Sequence, residues 1–313
     1  MANAATLWWV LESWFSQAQA QASEKLLVGG QAVIEGVLMK GPELWGLAVR
    51  RPDGEIYEEA WFNGSRAKRY PWKLPLVRGV VNLCEMMGSG FRALGKSAEV
   101  ALEDSGEELT TRDLCLAILF GVVAVVGLFV ALPLWLSEVV TNFFALSEVA
   151  RNTLEGVARA GVLVGYVVTI GLMKDIRQVF RYHGAEHKTI NAFETVAPEK
   201  PSDLTPQTIA TYSRIHPRCG TSFLLIAILI GTAVFSVIKG NGLLWRIGSR
   251  VVLLPLVVGI AYEIIRLASK PGFLGKTLVY PTLCLQYLTT REPDLGQIEV
   301  ALTSLEIALK ERR

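Results

Sequence analysis

Residues Leu114–Leu136 read LCLAILFGVVAVVGLFVALPLWL, an uninterrupted apolar run without a charge. A bilayer core about 30 Å thick needs roughly 20 apolar residues of helix, so this run can cross one with some tilt. Three further runs follow: Val157–Met173 with Arg159 near its start, the charge-free Ser222–Ile238, and Val251–Ala268 with Glu263 and Arg266 near its far end. Together they predict a mainly α, polytopic membrane protein with four transmembrane helices. The composition agrees: the chain is 51% hydrophobic and only 19% charged, and its apolar residues are concentrated in runs.

Lys and Arg orient these helices. Arg66, Lys68, Arg69, Arg78, Arg92, Lys96 and Arg112 precede the first, Lys174, Arg177, Arg181 and Lys188 follow the second, and Lys270 and Lys276 follow the fourth. The opposite loops carry Arg151, and Lys239, Arg246 and Arg250. The balance places both termini in the cytoplasm, together with a His-rich loop at 174–221. Around the transmembrane domain (113–272) lie three other regions. Residues 1–27 predict an interfacial helix with Trp8, Trp9 and Trp14 at headgroup level; Glu12 and the lack of a preceding positive charge argue against a cleaved signal. Residues 28–112 predict a small cytoplasmic α/β segment. In it Leu44–Arg51 and Glu55–Phe62 form an antiparallel hairpin across Pro52-Asp53-Gly54, and a membrane-surface helix follows at Val80–Leu94. Residues 273–313 predict an interfacial segment and a C-terminal amphipathic helix. In that region Leu274–Thr290, broken by Pro281, is re-entrant, interfacial or a fifth span. In Gln297–Arg313, Ile298, Ala301, Leu305 and Ala308 or Leu309 share one face.

The net charge of +2 supplies no global field for nucleic acid. The basic, aromatic stretch Arg66–Arg78 (RAKRYPWKLPLVR) is read as a face for membrane lipids instead. Cys84, Cys115, Cys219 and Cys284 have no C-x-x-C spacing, which argues against a disulfide framework and a thiolate-only zinc site. Nothing here reads the oligomeric state.

The chain holds three histidines, His183, His187 and His216, all in the 174–221 loop. His183-Gly184-Ala185-Glu186-His187 is H-x-x-E-H. If the second helix continues past the membrane, residues four apart share a face and both imidazoles reach one ion, with Glu186 placed as general base. His216-Pro217-Arg218-Cys219 adds an imidazole and a thiol just before the third run. The expected cofactor is zinc or another divalent transition metal, on His183, His187, His216 and Cys219. Three ligands with an open position would be catalytic, and a closed site structural. The bland alternative is histidines riding at the interface within a basic headgroup face. Glu263 is either a further ligand or second-shell partner, or an ion pair with Arg266 at i+3. Glu35, beside Gly36, reads as an ordinary exposed residue.

Five stretches, GGQAVIEGVLMKGP (29–42), YHGAEHKTIN (182–191), HPRCGTSF (216–223), GIAYEIIRLA (259–268) and LQYLTTREPD (285–294), are similar to the YqhQ family. That resemblance implies a multi-pass protein of the bacterial inner membrane, in a family labelled as predicted metal-dependent enzymes. The first function expected is therefore a metal-dependent hydrolase at the cytoplasmic interface, acting on a membrane peptide or a lipid headgroup ester. The alternative is a non-enzymatic membrane assembly or regulatory protein with a structural metal. An ion-coupled transporter is the weakest reading, because the first three runs hold no mid-membrane charge.

Overall fold

The computed structural model describes residues 28–103, 110–144, 146–196, 203–217, 219–238, 240, 242–268 and 282–310. The expected N-terminal helix, Lys270, Lys276 and the first half of Leu274–Thr290 lie outside them.

The chain is mainly helical, with one small sheet near its N-terminus. Strands β1 (Gly29–Val33), β2 (Gly36–Lys40), β3 (Leu44–Arg50) and β4 (Ile56–Phe62) form an antiparallel meander in chain order. The expected hairpin is β3–β4. Gly54 takes the left-handed φ of +90° that its turn demands, and the Asp53 carboxylate accepts from the Glu55 N–H at 2.9 Å. The strand period of two sorts β2 onto two covered faces. Val37 and Met39 pack with Tyr182, Ile190, Ile298 and Leu305. Leu38 packs with Leu47, Val49, Ala93 and Val100. The second face is closed by helix α1 (Val77–Ala101), the first by α5 (Lys174–Val196) and α10 (Leu295–Leu309).

Helix α10 is the expected C-terminal amphipathic helix, and it packs on the sheet. Its predicted face is buried, but so are Val300, Ser304 and Ile307 on the other side. It lies so close on β3 that a methyl at Gly46 would sit 2.4 Å from the Ser304 carbonyl oxygen. It starts at Asp294, which forms a capping box with Gln297. The C-terminus is thus the second layer of the N-terminal sheet.

The 174–221 segment is not a loop either. Helix α4 (Glu148–Ile170) ends, a turn through Gly171 intervenes, and α5 starts afresh at Lys174. A short α6 (Pro206–Ala210) follows. The second helix therefore does not run straight into the histidines; a separate helix carries them. Lys188, which the alternative to a metal site would put on a headgroup face, is 5% exposed, with its ammonium on the Ala210 carbonyl at 2.7 Å and on Glu292.

Two stretches are long and apolar enough to cross a membrane, Cys115–Phe144 and Glu148–Ile170. The first comprises α2 (Thr111–Val126), a π turn (Gly127–Ala131) and α3 (Leu132–Phe144). Phe120 on it is 76% exposed, as suits a lipid-facing helix and not a buried core helix. Helix α7 (Gly220–Ser236) is apolar but shorter. Helix α8 (Leu243–Ala268) begins before the expected run and takes in Arg246 and Arg250, read above as loop charges. Both are buried, and both reach Glu155 of α4, Arg250 at 2.7 Å. Arg159 also pairs with Glu155 and donates to the Phe129 carbonyl at 2.9 Å. That acceptor lies in the π turn, where the helical ladder is interrupted.

Candidate metal centre

Helix α5 places His183, Glu186 and His187 at i, i+3 and i+4, on one face. Gly184 between them is a packing requirement. A methyl there would lie 2.0 Å from the Arg291 carbonyl oxygen, so the 290–293 segment rests directly on the helix. Its Arg291 N–H donates to the Phe180 carbonyl at 2.8 Å. This contact carries α9 (282–289) to the site.

Each of the first two imidazoles is fixed by a backbone carbonyl. His183 Nδ1 is 2.8 Å from Thr289 O, and His187 Nδ1 is 2.7 Å from Arg214 O. A carbonyl only accepts, so both Nδ1 atoms carry the proton, and in the neutral ring Nε2 keeps its lone pair. Burial lowers the pKa of His187 and favours that neutral form. The two rings stand with centroids 4.4 Å apart. His183 Nε2 is 3.2 Å from Cys219 Sγ.

Cys219 is the N-cap of α7, with its sulfur facing the Thr221 N–H and hydroxyl. Burial pushes its thiol up, but hydrogen bonding to His187 and to Thr221 outweighs this and holds it below the ordinary thiol value. One donor atom each from His183, His187 and Cys219 lies within 4.8 Å of the others. Two ring nitrogens with lone pairs and a thiol disposed to ionise form a donor set suited to zinc.

Glu186 stands beside this group, 4% exposed. Burial pushes its carboxyl up to about 8, partly offset by the charge of His183 and reinforced by that of Cys219. It packs on β1, where a methyl at Gly30 would lie 3.1 Å from Oε1. Its Oε2 is buried without a hydrogen-bond partner. A buried carboxylate oxygen left unpaired is costly, and a neighbouring cation is one of the few things that would satisfy it. The residues present thus fit a divalent metal.

Two expected ligands stand elsewhere. His216 lies behind His187, ring centroids 5.8 Å apart, with its Nε2 3.6 Å from Glu194. Its peptide is clamped by Gln286, which accepts from His216 N–H at 2.9 Å and donates to His216 O at 2.7 Å. Glu263 is remote from the histidines in its bonding. Arg78 grips both its oxygens, at 2.6 and 2.5 Å, and Arg266 stands 3.7 Å away. The i+3 pair is present and the ligand role is corrected, because a bidentate guanidinium already occupies the carboxylate.

Several residues at the site escaped the sequence reading. Glu35 is no ordinary exposed residue: it takes a positive φ of 49°, and its carboxylate accepts from Tyr182 at 3.1 Å and Gln178 at 3.3 Å. That ties the β1–β2 turn to α5. Its signal was the Glu35-Gly36 turn pair. Backbone acceptors such as Thr289 O and Arg214 O have no sequence signal.

Comparison with known proteins places the chain. Residues 74–311 match the model of a family of proteins of unknown function, DUF1385. The chain belongs to that family. The uncharacterized protein YqhQ of Bacillus subtilis (strain 168) is 34% identical over 304 residues, covering 90% of this chain and 92% of its own. No solved structure matches. The family region takes in His183, Glu186, His187 and Cys219. Gly30, on which Glu186 packs, precedes it.

Proposed function

We propose that this member of the family is a four-span protein of the bacterial inner membrane, with a zinc-type centre at the cytoplasmic interface that serves a hydrolase. The observation that carries the reading is the convergence of one donor atom each from His183, His187 and Cys219, beside Glu186, whose buried Oε2 has no hydrogen-bond partner. Zinc bound by three protein ligands supplies a water whose pKa falls to about 7. The two carbonyls on Nδ1 hold each ring in the ligating tautomer. Glu186, with a carboxyl near neutrality, is suited to take a proton and return it. His183 is only half-buried and leaves the approach from solvent on its side. Membrane lipids surround the protein, and the substrate class is a membrane peptide or a lipid headgroup ester.

The topology rests on chain direction and on charge compensation. Helices α7 and α8 complete the four spans in this reading. Arg246 and Arg250 are no bar to it, because Glu155 and Glu138 pair with them, and paired charges facing a bundle interior are the tolerated kind. Both termini are then cytoplasmic, as the Lys and Arg balance requires.

One observation favours the alternative, a membrane assembly or regulatory protein with a structural metal. Glu186 is sealed against Gly30, so it can act as a packing residue that the ion neutralises. Glu186→Gln separates the two. In the enzyme the variant keeps about one ion per chain by elemental analysis of detergent-purified protein but fails to complement a deletion strain. Full complementation would remove the hydrolase and leave the structural centre.

A further inference from the structure

A cavity that no histidine lines lies at the start of β1. It measures about 420 Å³ and opens between the sheet, the 63–73 segment and the meeting point of α1 and α8. Among the described residues its lining includes Lys40, Lys73, Arg78 and Arg266, and no acidic side chain. Glu263 neutralises part of this charge through Arg78 and Arg266, leaving an excess of positive charge around one space. Neutral hydrogen-bonding groups complete it. Asn82 donates to the Tyr262 hydroxyl at 3.1 Å, which leaves the phenol's own proton directed to a further acceptor.

The floor of the cavity is preformed. A methyl at Gly79 would lie 2.7 Å from Tyr262 Cβ, and one at Gly259 2.8 Å from the Leu76 carbonyl oxygen. The start of α1 and helix α8 therefore meet closely at two points, through the Tyr262 side chain and through the Leu76 backbone, and cannot slide to fill the space. The segment that carries Lys73 is different in kind. Tyr70, Trp72, Leu74 and Leu76 are exposed, Tyr70 by 75% and Trp72 by 47%, and they flank Lys73 in sequence. Aromatic and aliphatic side chains around a basic pocket are the pattern of a surface seated in lipid headgroups.

We propose that this cavity binds the phosphate of an anionic phospholipid headgroup, with Lys73 and Arg266 as its outer clamp. An excess of cations over the single Glu263 carboxylate, together with the Tyr262 hydroxyl, matches a group with several acceptor oxygens. The exposed apolar side chains on either side of Lys73 assign the source, because a soluble phosphate compound has no acyl chains to lay against them. This placement rests on the four-span reading, which puts the end of α8 at the cytoplasmic headgroups, and it does not involve the metal centre.

The test uses full-length protein in a neutral detergent, probed by thermal shift with dihexanoyl phosphatidic acid, dihexanoyl phosphatidylcholine and inorganic phosphate. The expected result is stabilisation by phosphatidic acid above that by phosphatidylcholine, with phosphate alone weaker. Lys73→Glu and Arg266→Gln should each weaken the phosphatidic acid response roughly tenfold, the size of one lost charged contact. Arg92→Gln, a control on α1 whose guanidinium pairs with Glu59 of β4, should leave it unchanged. Lys73 is exposed on a connecting segment, so its variant retains the fold. Equal stabilisation by phosphate alone would overturn the lipid assignment. No response to any probe, or an equal loss in Arg92→Gln, would overturn the site. Failure of the four-span reading shows separately, as protein that stays in solution without detergent.

Discussion

His183 and His187 owe their readiness for a metal to atoms far away in the chain. Each ring spends its one proton on a carbonyl, so replacing either by Ala should reduce bound metal to well below one ion per chain in elemental analysis. Arg181→Ala, on the exposed side of the same helix, should leave the metal in place. Lys188→Ala is a different kind of change. It should keep the ion yet cost about 1–3 kcal/mol in thermal or chemical denaturation, because the Ala210 carbonyl loses its buried donor. Glu186 adds a pH signature to the chelated protein. Its folded pKa of about 8 lies above the ordinary 4.5, so between these values the folded state binds more protons than the unfolded one. The stability of the wild type relative to Glu186→Gln should therefore fall as pH rises from about 5 to 8. A flat difference across that window would mean that the carboxyl is not buried as described. The residue types and the spacing of H-x-x-E-H were legible in the sequence. The proton on each Nδ1 was not, because its acceptor is a backbone atom contributed by another segment.

At the scale of elements, α10 is where amphipathic reading fell short. Its apolar stripe was read correctly through Ile298, Ala301 and Leu305, yet a stripe alone does not distinguish a membrane surface from a sheet. The structure buries it on β2 and β3. Leu305→Ala, at a side chain fully buried there, should cost about 2–5 kcal/mol through cavity formation. If this helix lay in the headgroups, the same change would alter membrane affinity and leave the melting temperature almost untouched. The π turn of the first span teaches the same lesson. Nothing in Gly127–Ala131 announces it, and its Phe129 carbonyl accepts from Arg159 of another helix.

For the whole molecule, the charged knot of Glu155 with Arg159, Arg246 and Arg250 ties α4 to α8. Glu155→Ala would leave Arg250 buried without its carboxylate partner, and should cost about 3–5 kcal/mol by denaturation in detergent. The topology itself is checked by reporter fusions at Arg313 and Pro201. Both should report from the cytoplasm, and a periplasmic signal at either would reject the four-span arrangement.

The sequence alone determined the apolar runs, the β3–β4 hairpin and the cluster of histidines near one thiol. These follow from local composition and short-range periodicity, which need no partner to be read. Only the tertiary structure decided that Glu263 serves Arg78 and not the histidines, that His216 stands behind the donor group, and that the C-terminal helix closes the N-terminal sheet. In each case the deciding contact joins residues far apart in the chain, and which charge meets which partner is set by packing, to which spacing along the sequence is blind.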